Sequence, residues 1–183
     1  MAGSAIHLRW CGVGVLLLSV AGLAQDRGPA GEVPILTVCQ ALRDPTRYGG
    51  KTVIVVGRAW GTDEGSWLDE GCGLVLNLGD RTFPAAISTT YDASEFAPPP
   101  ALPKGFKWDK RALQRALDEV QNTTQLQAKA YWCAVYGRLE SNPIRHIDLG
   151  NGKVATTVGF GHEGGAAAQL VGPSDGVLRL KGK

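Results

Sequence analysis

Residues 51–60, KTVIVVGRAW, predict the central strand of the fold. The stretch is dense in β-branched residues and carries apolar side chains at both odd and even positions, which is typical of a strand at the centre of a closed sheet. Gly57 lies in its middle, and a residue without a side chain permits a sharp bend or a bulge. The stretch therefore favours a barrel.

The segments on either side of this strand predict further short strands separated by turn signals. A short helix at 38–43, capped by Thr37, comes before it. Further strands are predicted at 66–69, 73–78, 81–88, 129–140, 154–160, 166–171 and 177–180. Residues 141–153 are a polar excursion for which no strand is predicted.

One long helix is predicted from residue 110 to about residue 126. Asp109 can cap it, and Leu113, Leu117 and Val120 form an apolar stripe at helical spacing. A helix after the third strand of a five-stranded Greek-key barrel is the layout of the oligonucleotide/oligosaccharide-binding (OB) fold. The chain is therefore predicted to be mainly β with one long helix, as a five- to six-stranded OB-like Greek-key barrel. The alternative is an α+β sandwich made of the same elements.

The first 24 residues have the pattern of a secretory signal peptide. Residues 1–10 contain Arg9 and no acid, residues 11–24 are uncharged and apolar, and Gly22 and Ala24 suit cleavage after Ala24. A membrane-spanning helix needs about 20 apolar residues, which is longer than this run. We therefore expect a secreted or periplasmic protein without a membrane anchor. Its parts are a signal peptide (1–24), a flexible leader (25–34) and a single OB-like domain (35–183).

The net charge limits the expected binding partners, and the cysteine content predicts a disulfide. The signal removes one of the 19 basic residues and none of the 17 acidic ones, so the mature chain has a formal charge of +1. That charge provides no global field toward nucleic acid or anionic lipid. Cys39, Cys72 and Cys133 remain after cleavage, and an oxidising compartment favours one disulfide. Cys39–Cys72 is the favoured pairing, and Cys72–Cys133 stays open because spacing does not determine connectivity.

Two blocks of the sequence resemble a group of small secreted bacterial proteins of uncharacterised function that have OB-type barrels. The first block comprises Val38-Cys39-Gln40-Ala41-Leu42, Tyr48-Gly49-Gly50-Lys51, Glu64-Gly65-Ser66-Trp67-Leu68 and Cys72. The second comprises Gly159-Phe160-Gly161-His162 and Ala168-Gln169-Leu170. The resemblance implies an OB-like barrel and an extracytoplasmic location. It implies no reaction, because a fold does not determine chemistry.

His162 is the residue that we would test first for function. It lies in the segment GFGHEGG (residues 159–165), where glycines expose backbone and let a ligand approach closely. In the alternative interpretation the glycines form a bulge, and the imidazole is hydrogen-bonded to a nearby carbonyl. As a weak catalytic candidate, His162 would act as a base together with an acid such as Glu163 or Asp148.

Trp60 and Trp67 are the second pair of candidate binding residues. With Tyr91 and nearby acidic side chains they would line a shallow groove of the kind that binds sugars or peptides. The alternative is that Trp60 belongs to the core and Trp67 to the rim of the barrel.

The sequence predicts no metal site and no cofactor. His146 and Asp148 are spaced to share one side of a strand, but no Cys-x-x-Cys or His-x-x-x-His pair accompanies them. Ser66 and Ser88 lie near predicted strands, yet neither stands in the Gly-x-Ser-x-Gly pattern that exposes a catalytic serine.

A basic cluster precedes and enters the long helix. Its members are Lys104, Phe106, Lys107, Trp108, Lys110, Arg111 and Arg115. Cations interleaved with aromatic rings are typical of single-strand nucleic-acid binding. Asp109, Asp118 and Glu119 share the helix, so a solvated helix face is favoured and nucleic acid is an unfavoured partner.

These patterns favour a non-catalytic binding module at the cell envelope over an enzyme. The expected partner is an envelope or extracellular protein or a polysaccharide, bound by Trp60, Trp67 and His162. The two alternatives are a hydrolase that uses His162 and a single-strand nucleic-acid binder that uses the cluster from Lys104 to Arg115.

Overall fold

A computed structural model describes residues 32–91, 97–123, 131–141 and 144–182. The strands are β1 Ile35–Thr37, β2 Thr52–Thr62, β3 Gly65–Asp69, β4 Val75–Leu78, β5 Arg81–Pro84, β6 Ala86–Thr90, β7 Trp132–Glu140, β8 Ile144–Gly150, β9 Lys153–Val158, β10 Ala168–Val171 and β11 Val177–Arg179. The helices are α1 Val38–Arg43, α2 Pro45–Tyr48 and α3 Lys110–Thr123, and a 3₁₀ turn covers His162–Gly164.

Five of these strands close into a mixed barrel in the order β2-β3-β6-β10-β7 and back to β2. All neighbouring pairs are antiparallel except β6 and β10, which run parallel. β1 adds to β2 in parallel and β11 adds to β7 antiparallel. The hairpins β4–β5 and β8–β9 form separate two-stranded sheets. The closed barrel agrees with the barrel prediction at this level of detail.

β2 closes the barrel because it changes partner along its length. From Thr52 to Arg58 it pairs with β7, and from Arg58 to Thr62 it pairs with β3. Gly57 lies at this change, where a Cβ atom would stand 2.7 Å from Val38 Cγ2 and 3.0 Å from the Asp69 carbonyl oxygen. Only glycine permits this close approach of α1 and β3 to β2.

The barrel interior is an apolar core to which every barrel strand contributes. α1 adds residues to the same cluster. Its members include Val38, Leu42, Val53, Val55, Leu68, Ile87, Leu139 and Leu170. In β2 and β7 the interior residues alternate with outward-facing ones, as the two-residue period of a strand requires.

A second core lies on the outside of the barrel, between α3 and the strands β2 and β7. The outward residues Ile54, Val56, Trp132, Ala134 and Tyr136 pack there with Leu113, Leu117 and Val120 of α3. Asp109 caps α3 by accepting hydrogen bonds from the backbone N–H groups of Arg111 and Ala112, each at 3.0 Å. We call this outer surface the covered face.

Several predicted boundaries differ from the structure. β8 lies within the stretch for which no strand was predicted, because its sequence, IRHIDLG, lacks the strict apolar/polar alternation that predicts a strand. Among the described residues it pairs with β9. The predicted strand 81–88 is two strands, β5 and β6. Residues 1–31 lie outside the described chain, as do the predicted signal and most of the leader. At the end of the leader, Val33 packs against the outer core and the Pro34 carbonyl accepts a hydrogen bond from the Ile54 N–H.

Candidate functional site

Two tryptophans stack on the outer surface of the β2–β3 hairpin. Trp60 and Trp67 face each other in register, with ring centroids 4.7 Å apart and planes 19° from parallel. Trp67 is 9% exposed and Trp60 is 43% exposed. The assignment of Trp60 to the core and Trp67 to the rim is therefore reversed: the inner ring supports the outer one, which faces solvent.

A glycine-rich segment, residues 159–165, closes over the inner tryptophan; we call it the glycine loop. At Gly161, whose φ is +72°, a Cβ atom would lie 2.7 Å from Ser88 Oγ and 3.5 Å from Trp67 Nε1. Backbone therefore approaches the strands more closely than any side chain would permit. Arg81 holds the loop, because its guanidinium donates to the carbonyl oxygens of Val158 at 2.6 Å and Glu163 at 3.5 Å.

We call the surface formed by Trp60, Trp67, Ser88 and the glycine loop the open face. The open face is formed by the end of β2 together with β3 and β6. Like the covered face, it lies on the outside of the barrel. The salt bridge between Arg58 and Asp69 stands between the two faces, with Nε to Oδ1 at 2.8 Å. The hydrogen bond to Asp69 raises the pKa of Arg58.

His162 links the glycine loop to the turn between β2 and β3. Its Nε2 lies 3.5 Å from Glu64 Oε2 and 3.8 Å from Glu163 Oε1, within ion-pair distance when the imidazole is protonated. Glu163 can share one side with His162 because it has a φ of +53° rather than the extended backbone of a strand. Sequence reasoning proposed Glu163 as a partner of His162 but missed Glu64, since nothing in the sequence relates residues 98 positions apart.

A cavity of about 620 Å³ adjoins the glycine loop. Its walls include Asp80, Arg81, Thr156, Val158 and Glu163. The rim of the open face carries the exposed acids Asp63, Glu64 and Glu163. This part of the surface is therefore rich in carboxylate acceptors beside an aromatic ring.

The two serines considered as catalytic nucleophiles are hydrogen-bonded or buried within the barrel wall. Ser66 Oγ is 2.6 Å from Thr89 Oγ1 and donates to the Thr89 carbonyl, so it is engaged within the sheet. Ser88 is buried beneath Gly161. The side chains of His146 and Asp148 lie outside the described part of the chain.

The aromatic members of the basic cluster pack into the fold. Phe106 meets Trp108 edge to face at 5.0 Å and lies 5.4 Å from Tyr136, and both rings join the outer core. The cationic residues Lys104, Lys107, Lys110, Arg111 and Arg115 are exposed. The rings and the cations therefore do not form one shared surface for stacking bases.

Of the two cysteine pairings that the sequence left open, the structure contains Cys39–Cys72. Cys133 is buried and unpaired by disulfide, and desolvation raises its pKa to about 12. Its thiol therefore stays protonated and unreactive, since the thiolate is the nucleophile. Glu70, which sequence reasoning missed, is buried beside the disulfide.

No helix of the described residues is both long enough and apolar enough to cross a membrane. Comparison with models of protein families, with curated proteins and with solved structures finds no match to this chain.

Proposed function

We propose that the protein is a non-catalytic binding module whose open face holds a polysaccharide chain outside the cytoplasm. The observation that carries this proposal is the exposed ring of Trp60, fixed in place by its stack on the buried Trp67. A rigid aromatic ring offers a large contact area with little loss of conformational entropy on binding.

The strand topology also supports the open face as the binding surface. We infer an OB-like Greek-key arrangement because α3 lies between the third and fourth barrel strands, β6 and β7. OB barrels bind oligonucleotides and oligosaccharides on the face of their second and third strands and at the loops 1–2 and 4–5. The corresponding parts here are β3, β6, the turn that contains Glu64, and the connection that contains the glycine loop.

Charge favours a sugar over a nucleic acid at this surface. Asp63, Glu64 and Glu163 would repel phosphates, whereas their oxygens can accept hydrogen bonds from sugar hydroxyls. Basic residues contribute most of the affinity of non-specific nucleic-acid binding. The exposed cations of the basic cluster lie instead along α3 and the segment before it.

The Cys39–Cys72 disulfide supports a location in an oxidising compartment, secreted or periplasmic. Cleavage near Ala24 completes this proposal. Mass spectrometry of protein recovered from the medium or the periplasm should give a chain that begins at Gln25. An intact N-terminus on cytosolic protein would contradict it.

Titration with defined oligomers tests the binding proposal. The probes are a hexamer of β-1,4-linked glucose, a hexamer of N-acetylglucosamine, a polygalacturonate fragment and a 20-nucleotide oligothymidine. We expect a neutral hexamer to bind without release of new reducing ends and more tightly than the anionic sugar. Trp60→Ala should weaken it by about tenfold or more, the effect of losing 1.4 kcal/mol.

Tyr131→Ala is the matched control, because Tyr131 is also exposed but contacts Arg179 outside the open face. Its affinity should equal that of the wild type. Cleavage of a hexamer that depends on His162 would make the protein a hydrolase. Salt-sensitive binding of oligothymidine, or binding of an extracellular protein without any sugar, would likewise overturn the polysaccharide proposal.

A further inference from the structure

The disulfide and a buried acid form a cluster on the other side of β3 from the stacked tryptophans. Cys39 lies in α1, Cys72 follows β3, and Glu70 stands two residues before Cys72. The ligand atoms of the three side chains lie within 4.8 Å of one another. Glu70 is 3% exposed, and its Oε2 accepts a hydrogen bond from the Cys39 N–H at 2.6 Å.

Glu70 adds to the N-terminal cap of α1 by accepting from the Cys39 N–H. Thr37 and Gln40 already form a reciprocal capping box at that helix terminus. Burying a carboxylate is costly unless it is paired, and within the described residues Glu70 has no basic side chain in ion-pair contact. A buried carboxylate that caps the first turn of α1 through the Cys39 N–H is thus also held beside two sulfur atoms.

We propose that the dithiol form of this cluster binds a zinc ion through Cys39 Sγ, Cys72 Sγ and a Glu70 carboxylate oxygen. Zinc accepts both cysteine thiolates and glutamate oxygens as ligands, and an open zinc site has three protein ligands with a water molecule as the fourth. Thiolates select zinc over harder divalent ions. This site is separate from the open face and goes beyond the proposed sugar binding.

Forming the zinc site first requires reduction of the disulfide, and the reductant is a dithiol. The dithiol gives two electrons and two protons to the Cys39–Cys72 disulfide, whose S–S bond breaks, and it becomes a disulfide itself. Zn²⁺ then displaces the two thiol protons, which leave to solvent, and forms two Zn–S bonds and one Zn–O bond.

The backbone can accommodate both states. The two Cα atoms are 6.7 Å apart, at the wide end of the roughly 4.4–6.8 Å range of disulfides. The sulfurs can therefore move to the separation of about 3.8 Å that two Zn–S bonds of about 2.3 Å in a tetrahedron require. Gly71 and Gly73, with φ of +67° and +68°, flank Cys72, and a Cβ on Gly73 would meet no atom within 4 Å. Cys72 is partly exposed, which provides the entry path.

The test compares oxidised and reduced protein under anaerobic conditions. The full chain is reduced with dithiothreitol, desalted, and titrated with Zn²⁺ against a chromophoric chelator, while circular dichroism monitors folding. We expect one zinc per reduced chain and none per oxidised chain at the same concentrations. Co²⁺ should give a thiolate charge-transfer band in the reduced protein alone.

Three variants separate the site from non-specific binding. Glu70→Gln should weaken zinc binding by about tenfold or more, because losing even an outer-shell partner of a metal ligand costs about 10–100-fold in affinity. Cys72→Ser should abolish the one-to-one binding, and it remains informative if Glu70→Gln fails to fold. Cys133→Ala should bind as the wild type does, because Cys133 is outside the cluster.

Equal binding by oxidised and reduced protein would overturn the proposal, as would wild-type affinity in Glu70→Gln or Cys72→Ser. A reduced chain that unfolds and does not refold with Zn²⁺ would overturn it as well. Sugar binding is measured on the oxidised protein, so failure of the zinc site leaves that result unaffected.

Discussion

One strand, β2, contributes to both outer surfaces of the barrel, and its outward residues are buried on one surface and exposed on the other. Ile54 and Val56 are 3% and 0% exposed beneath α3, whereas Trp60, further along the same side of the strand, is 43% exposed. The chain thus provides its own helix to complete the covered face. On the open face, the described residues provide a thin glycine loop and leave an aromatic ring at the surface.

This difference separates residues that stabilise the fold from residues available to a ligand. Apolar area on the covered face is removed from water during folding, which stabilises the native state by about 25 cal/mol per Å². The exposed part of Trp60 gains nothing comparable from the packing of the described residues, and a bound partner can bury it. Substitutions on the covered face should therefore change stability, and substitutions on the open face should change binding.

The largest loss of stability should come from the covered face. Leu117 is fully buried between α3 and the barrel, so Leu117→Ala should lower the free energy of unfolding by about 2–5 kcal/mol through lost burial and a cavity. Urea denaturation measures the change. Arg115→Ala, an exposed position on the same helix, is the control and should stay within about 0.5 kcal/mol. Equal effects of the two changes would mean that α3 does not cover the barrel.

A smaller loss should follow from changing the glycine loop. Gly161→Ala places a Cβ 2.7 Å from Ser88 Oγ, at φ +72° and ψ −168°, a backbone conformation that almost only glycine adopts. The backbone conformation alone should cost about 1–3 kcal/mol. Gly165→Ala is the matched control, because its φ is −77° and its nearest neighbour is the His162 carbonyl oxygen at 3.4 Å. Thermal unfolding of both variants decides whether the close approach at Gly161 is required.

Lowering the pH should destabilise the fold at the covered face, because it protonates Asp109, which caps α3. The hydrogen bond from the Ala112 N–H, followed by that from Arg111 and the charges of Arg115 and Arg111, lowers the pKa of Asp109. A lowered pKa in the folded state stabilises the protein above the unfolded value of about 3.9. This contribution is lost as the pH falls through the folded pKa.

Asp109→Asn tests that sign, because asparagine can also cap a helix but does not titrate. Between about pH 5 and about pH 2, the melting temperature of the wild type should fall more steeply than that of the variant. Parallel curves would show that the carboxylate charge contributes nothing to α3.

The smallest change in stability should come from His162. The imidazole and Glu64 are both substantially exposed, and surface ion pairs contribute about 0–1 kcal/mol. His162→Gln should therefore unfold within about 0.5 kcal/mol of the wild type in urea. A loss above about 2 kcal/mol would show that His162 is a structural residue and not part of a ligand surface.

The fold was more predictable from sequence than the candidate site. The apolar run around Gly57 and the stripe of Leu113, Leu117 and Val120 are local patterns, and local patterns report burial and bending directly. The strand β8 escaped prediction because its sequence lacks a strict alternation of apolar and polar residues.

The site depends on contacts between distant segments, which periodicity does not report. Trp60 is exposed because it lies beyond the part of β2 that α3 covers. His162 contacts Glu64 because closure of the barrel brings the glycine loop to the β2–β3 turn. Glu70 looks like any acid after a strand until the fold places it beside Cys39.

The most direct test of the account is an NMR titration of the indole N–H signals with the neutral sugar hexamer that binds. Trp60 and Trp67 lie on the open face, and Trp108 and Trp132 lie in the outer core of the covered face. We predict saturable shifts for Trp60 and Trp67 and stationary signals for Trp108 and Trp132. Shifts confined to Trp108 and Trp132, or no saturable shift of Trp60 with either neutral hexamer, would contradict the claim that the open face is the ligand surface.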